Sequence, residues 1–191
     1  MRYRPEHKAE IHQRIVKDAS RRVRAEGLNG AAVAAVMGDT GLTHGGFYKH
    51  FGSKDELLLE SLREAFRDIA DNLARAAEQS RSAPAWKAIV KTYLSLEYCD
   101  HVERGCPLTA LAPEMARGDM AMKGHIFAEL VKYKDRMVPF MPGRRTSDKE
   151  QAFFVIFSTM IGAVEIARML PNRAAQEKVL ASTREFLLRS F

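Results

Sequence analysis

Only two cysteines, Cys99 and Cys106, occur in the 191 residues. That count excludes a disulfide scaffold and fits a reducing compartment. No apolar run reaches membrane-spanning length. The longest, Ala152 to Val164, is interrupted by Ser158 and Thr159 and is followed by Glu165 and Arg168; it falls short of the ~20 residues a spanning helix needs and reads as a buried helix. The first residues carry charge with no apolar stretch behind them. They show no signal-peptide pattern, and a cytoplasmic location is expected. Strand-like alternation is missing, so the expected fold class is all-α. Also missing are a Ser-His-Asp order, paired carboxylates, a phosphate-cradling loop and a metal-ligand cluster. Glu114 and Glu165 could be pocket carboxylates, but a lone acid makes no mechanism. Cys99, His101 and Cys106 lack an evident fourth ligand. The residues therefore suggest no enzyme, no cofactor and no metal.

What is present is an ordinary globular composition, 46% hydrophobic and 28% charged, which argues against disorder. The net charge is +6, with a pI near 9.4, and points to an anionic partner. The excess is spread out, although residues 1–30 hold eight basic residues against four acidic ones.

Helical periodicity runs through nearly the whole chain and predicts about nine helices. The first spans 6–26, with Ile11, Ile15, Ala19 and Val23 as its apolar stripe and Gly27 as its stop. Asn29 is the expected cap of a second helix over 31–37, and Thr43 of a third over 44–50. Ser53, with Glu56 three residues on, opens a fourth helix to about residue 79. Its inward face carries Leu57, Leu58, Leu62, Phe66, Ile69 and Leu73. Pro84 starts a fifth helix to about residue 102, with Trp86, Ile89, Tyr93 and Leu96 inward. Shorter and longer helices follow over 105–117 and 119–140. An eighth, capped by Ser147, runs to Leu170, and a ninth runs to the C-terminus.

The eighth helix is apolar around most of its circumference, from Phe153 to Ile166, and such a helix must be covered on all sides. Ser158, Gly162 and Ala163 are small enough for another helix to come close. The sequence thus predicts a homodimer packed on helices eight and nine with two-fold symmetry. A central core helix of a monomer is the plainer alternative.

Residues 41–58 carry the most information. Two short helices joined by a glycine-containing turn fit a helix-turn-helix, whose second helix presents its first residues to the major groove. Here those residues are Thr43, His44, Gly45 and Gly46. Consecutive helix glycines cost about 1 kcal/mol each relative to alanine, so their use is to let backbone approach another surface. Tyr48 and His50 offer hydrogen bonds to phosphate, and Lys49 offers charge. Phe47 and Phe51 anchor the helix inward. Lys54 lies where free backbone amides already attract phosphate. Taken one at a time, each of these side chains has an ordinary structural explanation; their joint spacing is what points to DNA.

The run Thr40-Gly-Leu-Thr-His-Gly-Gly-Phe-Tyr-Lys-His-Phe-Gly-Ser-Lys-Asp-Glu-Leu57 closely resembles that of the TetR family of bacterial transcriptional regulators. The family's usual form is Ala-Gly-Val-Ser-x-Gly-x-Leu/Phe-Tyr-x-His-Phe-x-Ser-Lys-Glu-x-Leu. The resemblance covers roughly residues 9–60. It implies a DNA-binding domain over 1–52 and a helical effector-binding and dimerisation domain over 53–191. It further implies that Thr43, Tyr48 and Lys54 meet phosphates, with His44, Gly45 and Lys49 near bases of a palindromic operator. Three departures stand out. Ala31-Ala32 replaces a capping Thr-Ser or Thr-Thr, Met37-Gly38 replaces the usual Ala-x, and Gly46 replaces a Thr or Ser.

Family members usually respond to a small molecule held in the second domain. Candidate lining residues are Trp86, Tyr93, Cys106, Met115, Phe127, Met137 and Phe157. The stretch Arg104-Gly-Cys-Pro-Leu-Thr-Ala-Leu-Ala-Pro-Glu-Met115 resembles a subgroup that includes electrophile- and oxidant-responsive repressors. A thiol at a helix N-terminus beside Arg104 would have a lowered pKa; the other reading of Cys106 is a small buried hydrophobe. The expected function is a dimeric repressor released by a small-molecule or electrophile effector. A helical interaction module without DNA binding is the alternative.

Overall fold

A computed structural model describes residues 5–31, 33–39, 44–81 and 83–191. Among the described residues there are ten α-helices and no strand. They are α1 (Pro5–Glu26), α2 (Val33–Asp39), α3 (His44–Phe47), α4 (Lys54–Glu78), α5 (Ala85–Tyr93), α6 (Leu96–Asp100), α7 (Pro107–Ala116), α8 (Met120–Met137), α9 (Thr146–Met169) and α10 (Arg173–Ser190).

Three apolar clusters organise them. Ile15, Val16 and Ala19 of α1 meet Val36 and Met37 of α2, Phe47, Phe51 and Leu57 in a small N-terminal core. A much larger core is built from α4, α5, α8, α9 and α10 around Ile69, Leu73, Ile89, Tyr93, Met137, Phe157 and Met160. Between them, Val23 of α1 packs with Leu58 and Leu62 of α4 and with Leu111 and Met115 of α7. The long helix α4 thus belongs to all three clusters. Its start is fixed by Ser53, whose hydroxyl accepts from the Glu56 amide, while the Glu56 carboxylate takes the Gly52 amide. This is a capping box displaced by one residue on its return arm.

Several helix boundaries differ from expectation. Asn29 does not cap α2; it lies in a 3-10 turn over Leu28–Ala31, and α2 begins at Val33. The third helix is α-helical only from His44 to Phe47 and continues as a turn through His50, with the Lys49 and His50 amides reaching back three residues. The expected fifth helix breaks at Leu94–Ser95. The Ser95 hydroxyl accepts from the Tyr98 amide and donates to the Thr92 carbonyl, so a new helix, α6, starts there. This break accounts for ten helices rather than about nine. Helix α9 is capped by Arg145, paired with Asp148, and not by Ser147.

Helix α9 is also not covered on all sides by this chain. Phe153, Ile156, Phe157, Met160 and Val164 are buried, whereas Phe154, Val155, Ile166 and Met169 are exposed. The helix is long and apolar enough to cross a membrane by length and composition, as buried core helices also are. Helix α10 lies against it, with Leu180 and Leu187 buried and Phe186 exposed.

Candidate nucleic-acid interface

The N-terminal core holds a short segment outward. Phe47 and Phe51 are 1% exposed, and their rings stack at 5.4 Å between centroids. With those two rings pinned, the residues between and beside them are turned to solvent. Tyr48 is 67% exposed, and Lys49, Lys54 and Gly45 are exposed as well. Among the described residues, no atom beyond its chain neighbours and its own helix backbone lies within 4 Å of where a Cβ would stand at Gly45. Packing against those residues does not require the glycine.

His50 is placed differently. It is half-buried, and its Nδ1 is enclosed without a hydrogen-bond partner. Burial, then His12, Lys8 and Lys49, hold its pKa below the ordinary histidine value, so it is neutral at pH 7. It can offer a phosphate only a neutral hydrogen bond. His12 beside it stacks on Phe51 at 4.5 Å and bonds Glu60 at 2.8 Å, tying α1 to α4 behind the segment. Gly46 is half-buried. Thr43 lies outside the described residues, and for His44 only the backbone is described.

An exposed tyrosine, two exposed lysines and an open glycine backbone thus share one short segment. Residues 15–61, which contain it, match the family model of bacterial regulatory proteins, tetR family. Over residues 15–61 the chain carries the N-terminal domain of the TetR family of bacterial transcriptional regulators. Members of this family are DNA-binding regulators and not enzymes. A TetR-family regulator from Cytophaga hutchinsonii has the same fold at a TM-score of 0.76, with 19% identity over 98% of both chains. One from Chloroflexus aurantiacus gives 0.74 and 22% identity over 96% of this chain and 97% of that one. FadR from Bacillus subtilis, in complex with stearoyl-CoA, gives 0.67 and 16% identity over 94% and 99%. At these identities the likeness is one of fold. No curated protein matches significantly.

Of the seven residues expected to line an effector pocket, five share the large core: Trp86, Tyr93, Cys106, Met137 and Phe157. Tyr93 meets Phe157 edge to face, and Trp86 lies against Phe191. Met115 belongs to the intermediate cluster under the N-terminal domain. Phe127 is 66% exposed on α8. The larger clefts are lined by other, mostly polar residues.

Cys106 is fully buried at the N-cap of α7. Burial raises its pKa above the ordinary thiol value, outweighing the amides of Leu108 and Thr109 and the charge of Arg24. Of the two readings of Cys106, this favours the small buried hydrophobe over the reactive thiolate. Arg104 is exposed and pairs weakly with Glu103 instead. The local helix effect is real but small, whereas complete desolvation is large. The Cys106 amide donates to the Tyr98 hydroxyl at 2.7 Å, and Tyr98 stacks on Tyr93 at 4.3 Å. Burial raises the pKa of Tyr93, Tyr98 and Tyr133, with Cys106 the next contributor in each. The result is a thiol and three phenols held neutral inside an apolar core. Cys99 is free and buried as well, with its pKa raised by burial. Among the described residues, no group of three or more His, Cys, Asp or Glu could hold a metal ion.

Sequence reasoning missed two contacts that join the N-terminal domain to the rest. Arg24 is 3% exposed. Its Nη1 donates to the Gly105 carbonyl at 3.2 Å, its Nη2 to Ser20 and Asp68, and its Nε to the Ser20 carbonyl. Burial lowers its pKa and Asp68 opposes that; a guanidinium stays charged regardless. The second contact is from the Leu28 amide to the Glu114 carboxylate, 2.9 Å. Gly27 precedes it with φ +84°, and a Cβ there would lie 2.8 Å from Glu114 Oε1. The glycine at the end of α1 was legible as a helix stop. Its second role, making room for a carboxylate 87 residues away, carries no local signal.

Proposed function

We propose that this regulator is a homodimer that binds a palindromic operator through residues 43–54 and represses transcription in the cytoplasm until an effector lowers its DNA affinity. The observation that carries the DNA-binding part is the outward Gly45–Lys54 segment on its aromatic anchor. Thr43, Tyr48 and Lys54 would hold phosphates, while His44, Gly45, Gly46 and Lys49 approach base edges. His50 contributes a neutral bond at most. The exposed apolar stripe of α9, with Gly162 open to any approaching surface, supports the second copy. Two copies would set the two reading segments at the half-site spacing of DNA, one helical turn or a multiple apart. A change in the packing of α4 would alter that spacing and release the operator without changing a contact residue.

Selection from a random duplex pool at roughly 0.15 M salt, where non-specific binding is weak, tests the proposal. Recovery of a palindrome supports a dimeric sequence-specific regulator. Failure of folded, dimeric protein to enrich any sequence would favour an interaction module that no longer reads DNA.

A further inference from the structure

The largest cleft described, about 740 Å³, opens between α1, α4, α5 and α6. Three cations from three different helices enter it: Arg21 of α1, Arg75 of α4 and Lys91 of α5. All three are exposed, and none lies within ion-pair distance of a carboxylate among the described residues. Arg24 and Arg104 add charge to its walls. Of the two carboxylates there, Asp68 is engaged by Arg24, and Glu97 is exposed. Its inner wall includes Tyr98, the phenol bonded to the Cys106 amide.

Like charges on separate helices repel, and among the described residues no carboxylate pairs directly with these three. A volume of this size matches that of small-molecule sites, typically 300–1,000 Å³. A lone carboxylate would compensate one of the three cations, whereas a phosphate ester or pyrophosphate carries the two or three negative charges needed. Guanidinium forks also suit pairs of phosphate oxygens, which they bind with two parallel hydrogen bonds. The cleft is not on the reading face. Arg75 lies ~30 Å along α4 from Lys54 at 1.5 Å per residue.

We propose that this cleft binds a phosphate- or pyrophosphate-bearing small molecule. Such a ligand bridges α1 and α4 to α5, and it does so beside Arg24, whose Nη1 holds the Gly105 carbonyl. Its effect on operator affinity rests on the regulator reading above; its binding does not. Coupling is reciprocal, so operator and anion change each other's affinity by the same factor.

The test titrates inorganic pyrophosphate into the full-length protein by calorimetry, without DNA. The variants are Arg75→Gln/Lys91→Gln, Arg21→Gln, and Lys178→Gln on exposed α10 as a control. The expected result is one saturable site, weakened at least tenfold in the double variant, weakened also in Arg21→Gln, and unchanged in Lys178→Gln. Should the double variant not fold, Arg21→Gln alone carries the comparison. Absence of saturable binding, or equal affinity in the cleft variants, overturns the proposal. So does a loss of duplex affinity in the double variant without pyrophosphate, which would assign the cleft to the DNA backbone. Saturable binding by a protein that enriches no duplex leaves the site standing and removes the regulator reading instead.

Discussion

Gly45 separates two explanations for a glycine inside a helix. If packing demanded it, alanine would clash; no packing neighbour among the described residues lies within 4 Å of the Cβ position. Gly45→Ala should therefore stabilise the isolated protein by up to about 1 kcal/mol while weakening operator binding, because the added methyl stands where DNA must come. Urea unfolding and fluorescence anisotropy would read the two effects. Equal DNA affinity would remove Gly45 from the interface. For Lys54 the proposed role is one of charge alone. Lys54→Ala should weaken all duplexes alike and reduce the slope of log K against log salt by about one unit. An unchanged slope would exclude a phosphate contact. Cys106 is a third single-residue case. Its buried, protonated thiol should react with iodoacetamide on the order of tenfold or more slowly than an exposed cysteine. Rapid labelling of folded protein, read by mass spectrometry, would restore the electrophile-sensor reading.

At the scale of elements, α9 is half a core helix. Its inner face is complete within one chain, and its outer face ends in Phe154, Val155, Ile166 and Met169. Phe154→Glu leaves the monomer's core untouched and, in the proposed dimer, places two charges together at the two-fold interface. Sedimentation should show a shift from dimer to monomer, with operator affinity falling along with it. A variant that remained dimeric would place the interface elsewhere. The helix ends themselves show what could be read from sequence. Ser53 with Glu56, and Gly27, are local signals, and each marks the helix boundary that forms. The break at Leu94–Ser95 was not legible, because the apolar spacing of Ile89, Tyr93 and Leu96 continues across it. Only the geometry decides that Ser95 turns its hydroxyl to a new helix. Likewise, the exposed position of Tyr48, Lys49 and Lys54 follows from their neighbours Phe47 and Phe51, which sequence placed inward. The protonation of Cys106 does not follow, because local charge lowers a thiol's pKa while the tertiary surroundings raise it.

Across the whole molecule, the neutral core has a consequence for alkaline stability. Cys106, Tyr93, Tyr98 and Tyr133 keep their protons in the folded chain above their ordinary values of 9.0 and 10.0. The unfolded chain releases them at those values, so above that range the native state binds more protons than the unfolded one. Stability is then undiminished below about pH 9 and falls as pH rises, by about 1.4 kcal/mol per pH unit for each group that titrates. Denaturant melts between pH 8 and 11 should show the decline, and a Tyr133→Phe variant should show a shallower one. A flat profile would mean that these groups ionise without unfolding.

Two of the contacts that join α1 to the second domain, Arg24 to Gly105 and Leu28 to Glu114, flank α7, one just before its start and one near its end. They add to the His12–Glu60 bond and to the packing of Val23 against α4 and α7. Because the two polar anchors grip a single helix near its two ends, a shift of α7 along its own axis would tug both at once, and α1 would feel it as one coherent pull instead of two opposed ones.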